Sequence, residues 1–273
     1  TQHNAEALRR RGVRVIEPEV GPLASRGERG AGRLPDPEAL LAELEAALGG
    51  VVDSWAGLRV LVSAGGTREA IDGVRFIGNR SSGRMGIALA EAAVRRGASV
   101  ELVAANVSLP SAAAIARQDV ESAGDLGAAL SGRFEACDVL LMAAAVADFR
   151  PDATHEGKLS REGEAELALR LEPTEDVLAT LAARRAPNQV LVGFAAEHGQ
   201  ESIERARRKL ARKAVDAIVF NDVSRADIGF DADANEVTIV EADGEHLVAL
   251  APKAEVADAV LDRVEALRSR VAK

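Results

Sequence analysis

Residues 58–103 read LRVLVSAGGTREAIDGVRFIGNRSSGRMGIALAEAAVRRGASVELV, and the fold is decided by this stretch. Val60, Leu61 and Val62 form a short apolar run that breaks into Ala64-Gly65-Gly66-Thr67, residue types that let a backbone turn tightly and approach a ligand. From Ser81-Ser82-Gly83 onward, Met85, Leu89, Ala92 and Ala93 recur at three- and four-residue intervals as far as Arg95-Arg96-Gly97, a helix with a glycine stop. A second apolar run, 99–104, comes immediately after it. Strand, glycine loop, helix and strand make a βαβ unit, whose right-handed crossover brings loop and helix N-terminus together at the carboxyl edge of a parallel sheet. Unpaired N–H groups and the helix dipole favour a phosphate there. Residues 68–80 separate the two glycine clusters, so the spacing is not GxGxxG. Within them Asp72, Arg75 and Asn79 bring a carboxylate, a guanidinium and an amide near the expected phosphate site. On spacing alone a polar surface loop reads equally well.

Composition bounds what such a unit can belong to. At 273 residues the chain can bury a sizeable core in one large or two smaller domains. Aromatic residues make up only 3% and Tyr is absent, so the core is built from Ala, Val, Leu and Ile. A net charge of -9 and a pI near 5.2 argue against a nucleic-acid or membrane-surface binder, which needs a basic face. Cys137, the single cysteine, excludes an intrachain disulfide framework and a cysteine-based zinc site, and it reads as core within an apolar strand. No apolar run reaches the roughly 18 residues of a membrane span, and no signal-peptide core opens the chain, so a cytoplasmic protein is expected.

Residues 1–50 look separate from the rest of the chain. They offer a helical pattern at 4–11, a short strand at 13–16, a Gly/Arg-rich loop at 22–34 and a helix at 37–48 ending in Gly49-Gly50, too little for an independent core. Beyond the central unit come a turn at 106–110, a helix around 125–130 and a strand at 138–143. Small residues from Ala144 and Ala145 onward then close on Asp148, so that a ligand can lie against backbone while a carboxylate meets ribose or base; tight core packing is the alternative. Lys158 sits in a polar loop, where a lysine is ordinarily just solvated. Thr174 reads as a helix N-cap, with Glu175 and Asp176 in the first turn. A buried-type strand, 189–194, ends in Gly193-Phe194-Ala195-Ala196. The helix 201–214 then carries Arg205, Arg208, Lys209, Arg212 and Lys213, of which Lys209 and Lys213 share a face, either a solvated stripe or an anion site. A strand at 217–220, a hairpin about Asp243-Gly244 and an amphipathic helix at 253–270 complete the chain. The class expected for 51–273 is α/β, a three-layer Rossmann-like fold with a mostly parallel sheet and a late β-hairpin.

The segment AGGTREAIDGVRFIGNRSSGRMG closely resembles the signature of phosphopantothenate-cysteine ligases, also called phosphopantothenoylcysteine synthetases, of coenzyme A biosynthesis. Both glycine clusters, the Asp-x-x-Arg pair and Asn-x-Ser-Ser-Gly fall in order, and the likeness runs nearly to the end of the chain. It implies that 4'-phosphopantothenate attacks the α-phosphate of CTP and that L-cysteine then displaces CMP from the acyl-cytidylate. Catalytic roles would fall to Asn79, on the substrate or acyl carbonyl, and to Lys158, on the developing phosphate charge. Nucleotide contacts would come from Gly65, Gly66, Thr67, Ala144, Ala145, Asp148, Lys158, Thr174, Asp176, Phe194, Lys209 and Lys213. Arg75, Asn79, Ser81, Ser82 and Gly83 would hold the other substrate. Mg²⁺ would be carried mainly by the triphosphate, with its protein ligands unknown, and the late strands resemble part of a dimerising region, so a homodimer is expected.

Two departures qualify the likeness. The family's Lys-x-Lys-Lys motif reads Lys158-Leu159-Ser160-Arg161 here. Residues 1–50 resemble the C-terminal end of the flavin-dependent phosphopantothenoylcysteine decarboxylase, with Ser25 in a loop where that family has a cysteine and without its flavin-binding portion, so neither FMN nor decarboxylation is expected of this chain. CTP, rather than ATP, rests on that fused bacterial arrangement. Two other readings stand beside the ligase. A short-chain NAD(P)-dependent oxidoreductase shares the βαβ start but lacks GxGxxG and, with no Tyr, the Tyr-x-x-x-Lys pair. A non-catalytic nucleotide-binding module is compatible with Ser160 and Ser25.

Overall fold

The computed structural model describes residues 2–10, 13, 15–22, 29–37, 40–41, 53–159, 167–197, 202–222 and 232–271. The chain divides into two compact units, Thr1–Val52 and Asp53–Lys273. The first contains helix α1 (Gln2–Arg10) and an antiparallel pair, β1 (Glu19–Pro22) and β2 (Arg29–Arg33). Two expectations change here. Val13, Val15 and Ile16 carry no strand, and the Gly/Arg-rich stretch expected as a loop contains β2 and the last residue of β1 instead, because ladder pairing uses only backbone groups, which glycine supplies as well as valine. Of the helix expected at 37–48, positions 37, 40 and 41 are helical and 42–48 lie outside the described residues.

The second unit begins with β3 (Arg59–Gly65), β4 (Arg68–Ala70), β5 (Phe76–Gly78), α2 (Arg84–Arg95), β6 (Ser99–Ala105) and β7 (Ala116–Val120). It continues through α3 (Ala123–Phe134), β8 (Val139–Met142), β9 (Phe149–Pro151), β10 (Leu171–Pro173), α4 (Val177–Ala182) and β11 (Val190–Glu197). It closes with α5 (Ser202–Lys213), β12 (Ala217–Asp222), β13 (Ala234–Glu241), β14 (Gly244–Pro252) and α6 (Lys253–Val271). Among the described residues eight strands form one sheet in the order β14-β13-β12-β11-β8-β3-β6-β7, parallel from β12 to β7 and antiparallel at β13 and β14.

Its parallel strands are covered on both faces, which is why they read as continuous apolar runs. Val60 and Val62 of β3 face Leu89 and Ala92 of α2 and Val260 and Val264 of α6, all in one core layer. Leu61, between them, joins Leu126 and Leu130 of α3, Leu181 of α4 and Ala206 of α5 in the other. Helices above and below a mostly parallel sheet make the expected three-layer α/β architecture. Gly86 lets α2 approach this closely, since a Cβ there would lie 2.4 Å from the Ala64 Cβ. At the antiparallel edge, Glu241 has a wholly buried side chain that accepts bonds of 2.7 and 2.8 Å from Arg263, tying the hairpin to α6. Cys137 lies in the turn before β8 rather than in the strand, and burial, then the charge of Asp138, push its thiol up to about 12.

Residues 68–80 are more than a loop. β4 and β5 pair as a short antiparallel ribbon, closed by a turn at 71–75. Asp72 accepts the N–H groups of Val74 at 2.7 Å and Arg75 at 2.6 Å, an Asx-type turn that Asp favours.

Candidate functional site

At the carboxyl ends of β8 and β11, where ligands bind in open α/β sheets, lies a cleft of about 860 Å³. Its floor is the small-residue run Ala144, Ala145 and Val146, continuing to Asp148 and Phe149. Thr174 to Leu178 form one wall, and Lys209, Arg212 and Lys213 of α5 line another. A smaller cavity of about 110 Å³ is bounded by Ser81, Ser82 and Gly83, the first turn of α2, Asn221, Asn235 and Lys253. Ala144, Ala145, Phe194, Ala195 and Ala196 line both, so the two share a wall.

The basic stripe of α5 thus supplies three cations to one cleft in an acidic protein. Lys213 Nζ lies 2.9 Å from Asp176 Oδ1, and that oxygen also accepts the Ala179 N–H at 3.2 Å. Asp176, rather than Thr174, is therefore the N-cap of α4. The Thr174 hydroxyl donates instead to the Ala147 carbonyl at 2.5 Å, and its N–H to the Asp148 carbonyl at 3.0 Å, which fixes the cleft wall to the floor. Burial works to raise the Asp176 carboxyl, but the Lys213 ammonium and the Ala179 N–H outweigh it and hold the group below the usual carboxylate range.

Asn79 lines the larger cleft, and its Nδ2 donates to the Val146 carbonyl at 2.9 Å. That bond aims the amide across the floor and leaves a second N–H and an oxygen for a ligand. Ser81, Ser82 and Gly83 line the smaller cavity, where Gly83 caps α2 with φ +79° and no side-chain bond. The first N–H groups of α2 have no side-chain cap at that end, the arrangement that suits an anion.

The first glycine cluster does something else. Gly65, Gly66 and Thr67 line neither cavity. Gly65 has φ +86°, and a Cβ there would stand 2.0 Å from the Ala105 carbonyl; one at Gly66 would stand 2.7 Å from the Asn79 carbonyl. The N–H groups of Gly66 and Thr67 donate to Ala105 and Ala145 carbonyls at 3.0 and 3.2 Å, so they are spent within the protein. Buried Thr67 accepts the Ala147 N–H at 2.9 Å through its hydroxyl. These residues brace Asn79 and the floor from beneath, where the spacing pointed to a phosphate cradle.

Lys158 is exposed and lines neither cavity, and Arg75 is paired with Asp72 at 2.9 Å outside both. The rest of its motif, 160–161, lies outside the described residues. Arg80, Phe149 and Glu175 in the cleft, and Asn221, Asn235 and Lys253 in the smaller cavity, are lining residues that sequence reasoning did not assign. Arg80 could have been suspected beside Asn79; the others meet only through the sheet order. Among the described residues no three His, Cys, Asp or Glu side chains cluster as a metal site. No described helix is long and apolar enough to cross a membrane.

Residues 55–267 match the DNA/pantothenate metabolism flavoprotein C-terminal domain, and the chain belongs to that family. It is 38% identical over 262 residues to the coenzyme A biosynthesis bifunctional protein CoaBC of Vibrio cholerae, covering 96% of this chain and 65% of the relative. It is 44% identical over 245 residues to a prokaryotic cysteine/cysteine sulfinic acid decarboxylase, covering 88% of this chain and 67% of that protein. The chain thus spans about two thirds of the length of these relatives. The crystal structure of the C-terminal domain of a CoaBC superposes with a TM-score of 0.68 at 37% identity, over 80% of this chain and 99% of that one.

Proposed function

We propose that the second unit is a phosphopantothenate-cysteine ligase, with CTP in the larger cleft and the 4'-phosphopantothenate arm reaching it from the smaller cavity. The observation that carries this reading is the shared wall, Ala144-Ala145 and Phe194 to Ala196, where two different ligands can touch. Family membership and the CoaBC names of relatives support it. A carboxylate is a poor acyl donor and must first become a mixed anhydride. Its oxygen attacks the α-phosphorus of CTP, the bond to the β-phosphate oxygen breaks, and pyrophosphate leaves. The amine of L-cysteine then attacks the acyl carbon, loses a proton, and CMP leaves with the C–O bond electrons.

Each residue group has a part in those steps. Lys209, Arg212 and Lys213 offset the triphosphate's charge. Asn79, held by Val146, orients the carboxylate and then donates to the oxyanion formed on amine attack. Ser81, Ser82 and the α2 N-terminus suit the phosphate of phosphopantothenate. Lys158 is assigned by resemblance to the developing phosphate charge. The edge strand β14 exposes Leu247 and Leu250, which supports pairing of two copies there.

The experiment is pyrophosphate release with 4'-phosphopantothenate and CTP, then product formation on adding L-cysteine, for the whole chain and for 51–273. Equal activity of the two supports assigning residues 1–50 to a decarboxylase-like segment and linker. Calorimetric titration with CTP, ATP and NADPH separates the remaining readings. CTP binding without turnover would leave a nucleotide-binding module, and NADPH binding alone would favour an oxidoreductase.

A further inference from the structure

Lys158 stands between two residues whose backbones are held by the β4–β5 turn. The Gly157 carbonyl accepts the Gly73 N–H at 3.0 Å, and the Leu159 N–H donates to Asp72 Oδ2 at 3.1 Å. Arg75 Nη1 donates to the Leu159 carbonyl at 3.2 Å, and the His155 N–H donates to the Ile71 carbonyl at 3.0 Å. Asp72 is common to both sides of this seam. Its side chain is fully buried, and with Val74, Arg75 and Leu159 it uses both oxygens on four donors. Burial works to raise its carboxyl, but the Arg75, Val74 and Leu159 N–H groups and the Arg75 charge bring it down to about 2. The carboxylate lines neither cavity, so its bonding serves the seam and not a ligand.

We propose that Asp72 is a positioning residue for the ligation, a latch that fixes the Lys158 loop through the Leu159 N–H. The inference rests on the ligase reading above. With both neighbours of Lys158 held, only its side chain has to be ordered when the ammonium meets a phosphate, and less entropy is lost in the transition state.

Two substitutions break the same bond from opposite sides. Asp72→Asn keeps an oxygen for the turn but presents an NH₂ group that can accept neither the Leu159 N–H nor the Arg75 Nη1 bond. Leu159→Pro removes that donor and leaves Asp72 intact. Pyrophosphate release should fall on the order of 10²-fold in each, as expected for a displaced catalytic group. CTP affinity by calorimetry should stay within about twofold, because the α5 cations are untouched. The double variant should be no slower than the worse single one, since the Leu159 bond is the interaction both remove. A glutamate-specific protease should cut after Glu156, in the same exposed loop, faster in both variants. Additive losses, parent-like rates or unchanged cleavage would overturn the latch. If Asp72→Asn does not fold, Leu159→Pro and its cleavage rate decide the matter. A parent chain that releases no pyrophosphate would end the ligase reading instead, and the cleavage comparison would still judge the latch.

Discussion

Lys213 of α5 holds Asp176 of α4 at 2.9 Å, so the last turn of one helix is tied to the cap of another across the mouth of the larger cleft. One cation of the stripe is therefore already matched by a carboxylate, and a triphosphate entering the cleft competes for it.

Replacing Lys209 and Lys213 together by Ala should weaken CTP binding about tenfold, given up to roughly 1 kcal/mol for each partly solvated charge contact. The salt dependence of the affinity should shrink as well. Calorimetry at low and moderate ionic strength reads both. Unchanged affinity at low salt would return the stripe to solvent.

Asp176→Asn isolates charge from capping, because Asn and Asp cap helices about equally well. The folded carboxyl lies below its unfolded value, so its charge stabilises the fold above about pH 4 and stops doing so as the pH falls through the folded value. With the side chain 43% exposed, the effect should be under about 1 kcal/mol. Urea unfolding at pH 7 should show the parent more stable than the variant, and the gap should close in acid. A gap independent of pH would contradict the assignment.

Gly65→Ala should destabilise the second unit by about 2 kcal/mol or more, from the left-handed φ alone. The Cβ would also collide with the Ala105 carbonyl. Thermal unfolding measures this. A variant with parent stability that has lost only CTP binding would restore the phosphate cradle.

Asn79→Ala should fold and bind CTP like the parent but lose on the order of 10²-fold in acyl transfer, the usual cost of one oxyanion donor. Rapid-quench measurement of acyl-cytidylate and of product separates the two steps. Product formed at the parent rate would remove Asn79 from the reaction.

The central βαβ unit was legible because its signals are local: the apolar run of β3, the spacing of Met85, Leu89, Ala92 and Ala93, and the Gly97 stop all fall within neighbouring turns. The pairing of Lys209 with Lys213 was legible for the same reason. Thr174 misled as a cap because its hydroxyl is claimed by Ala147, 27 residues earlier, a tertiary bond that no local pattern encodes. Gly65 and Gly66 announced a tight turn correctly, but what crowds them, Ala105 and Asn79, arrives from elsewhere in the chain. Asn221, Asn235 and Lys253 reach one cavity only because β12 lies beside β11 and β13 beside β12 in the sheet, while Lys253 opens the helix that follows β14. In the first unit, glycine and arginine concealed β2, since two-stranded pairing there needs no apolar alternation.

Because Ala144, Ala145 and the segment from Phe194 to Ala196 border both cavities, neither ligand preference can be changed there in isolation. A methyl group added at Ala144 or Ala195 to reshape the larger cleft takes space from the smaller cavity as well. Reshaping the larger cleft by itself therefore has to begin on its far side, around Phe149, Glu175 and Arg212, which border that cavity and not the smaller one.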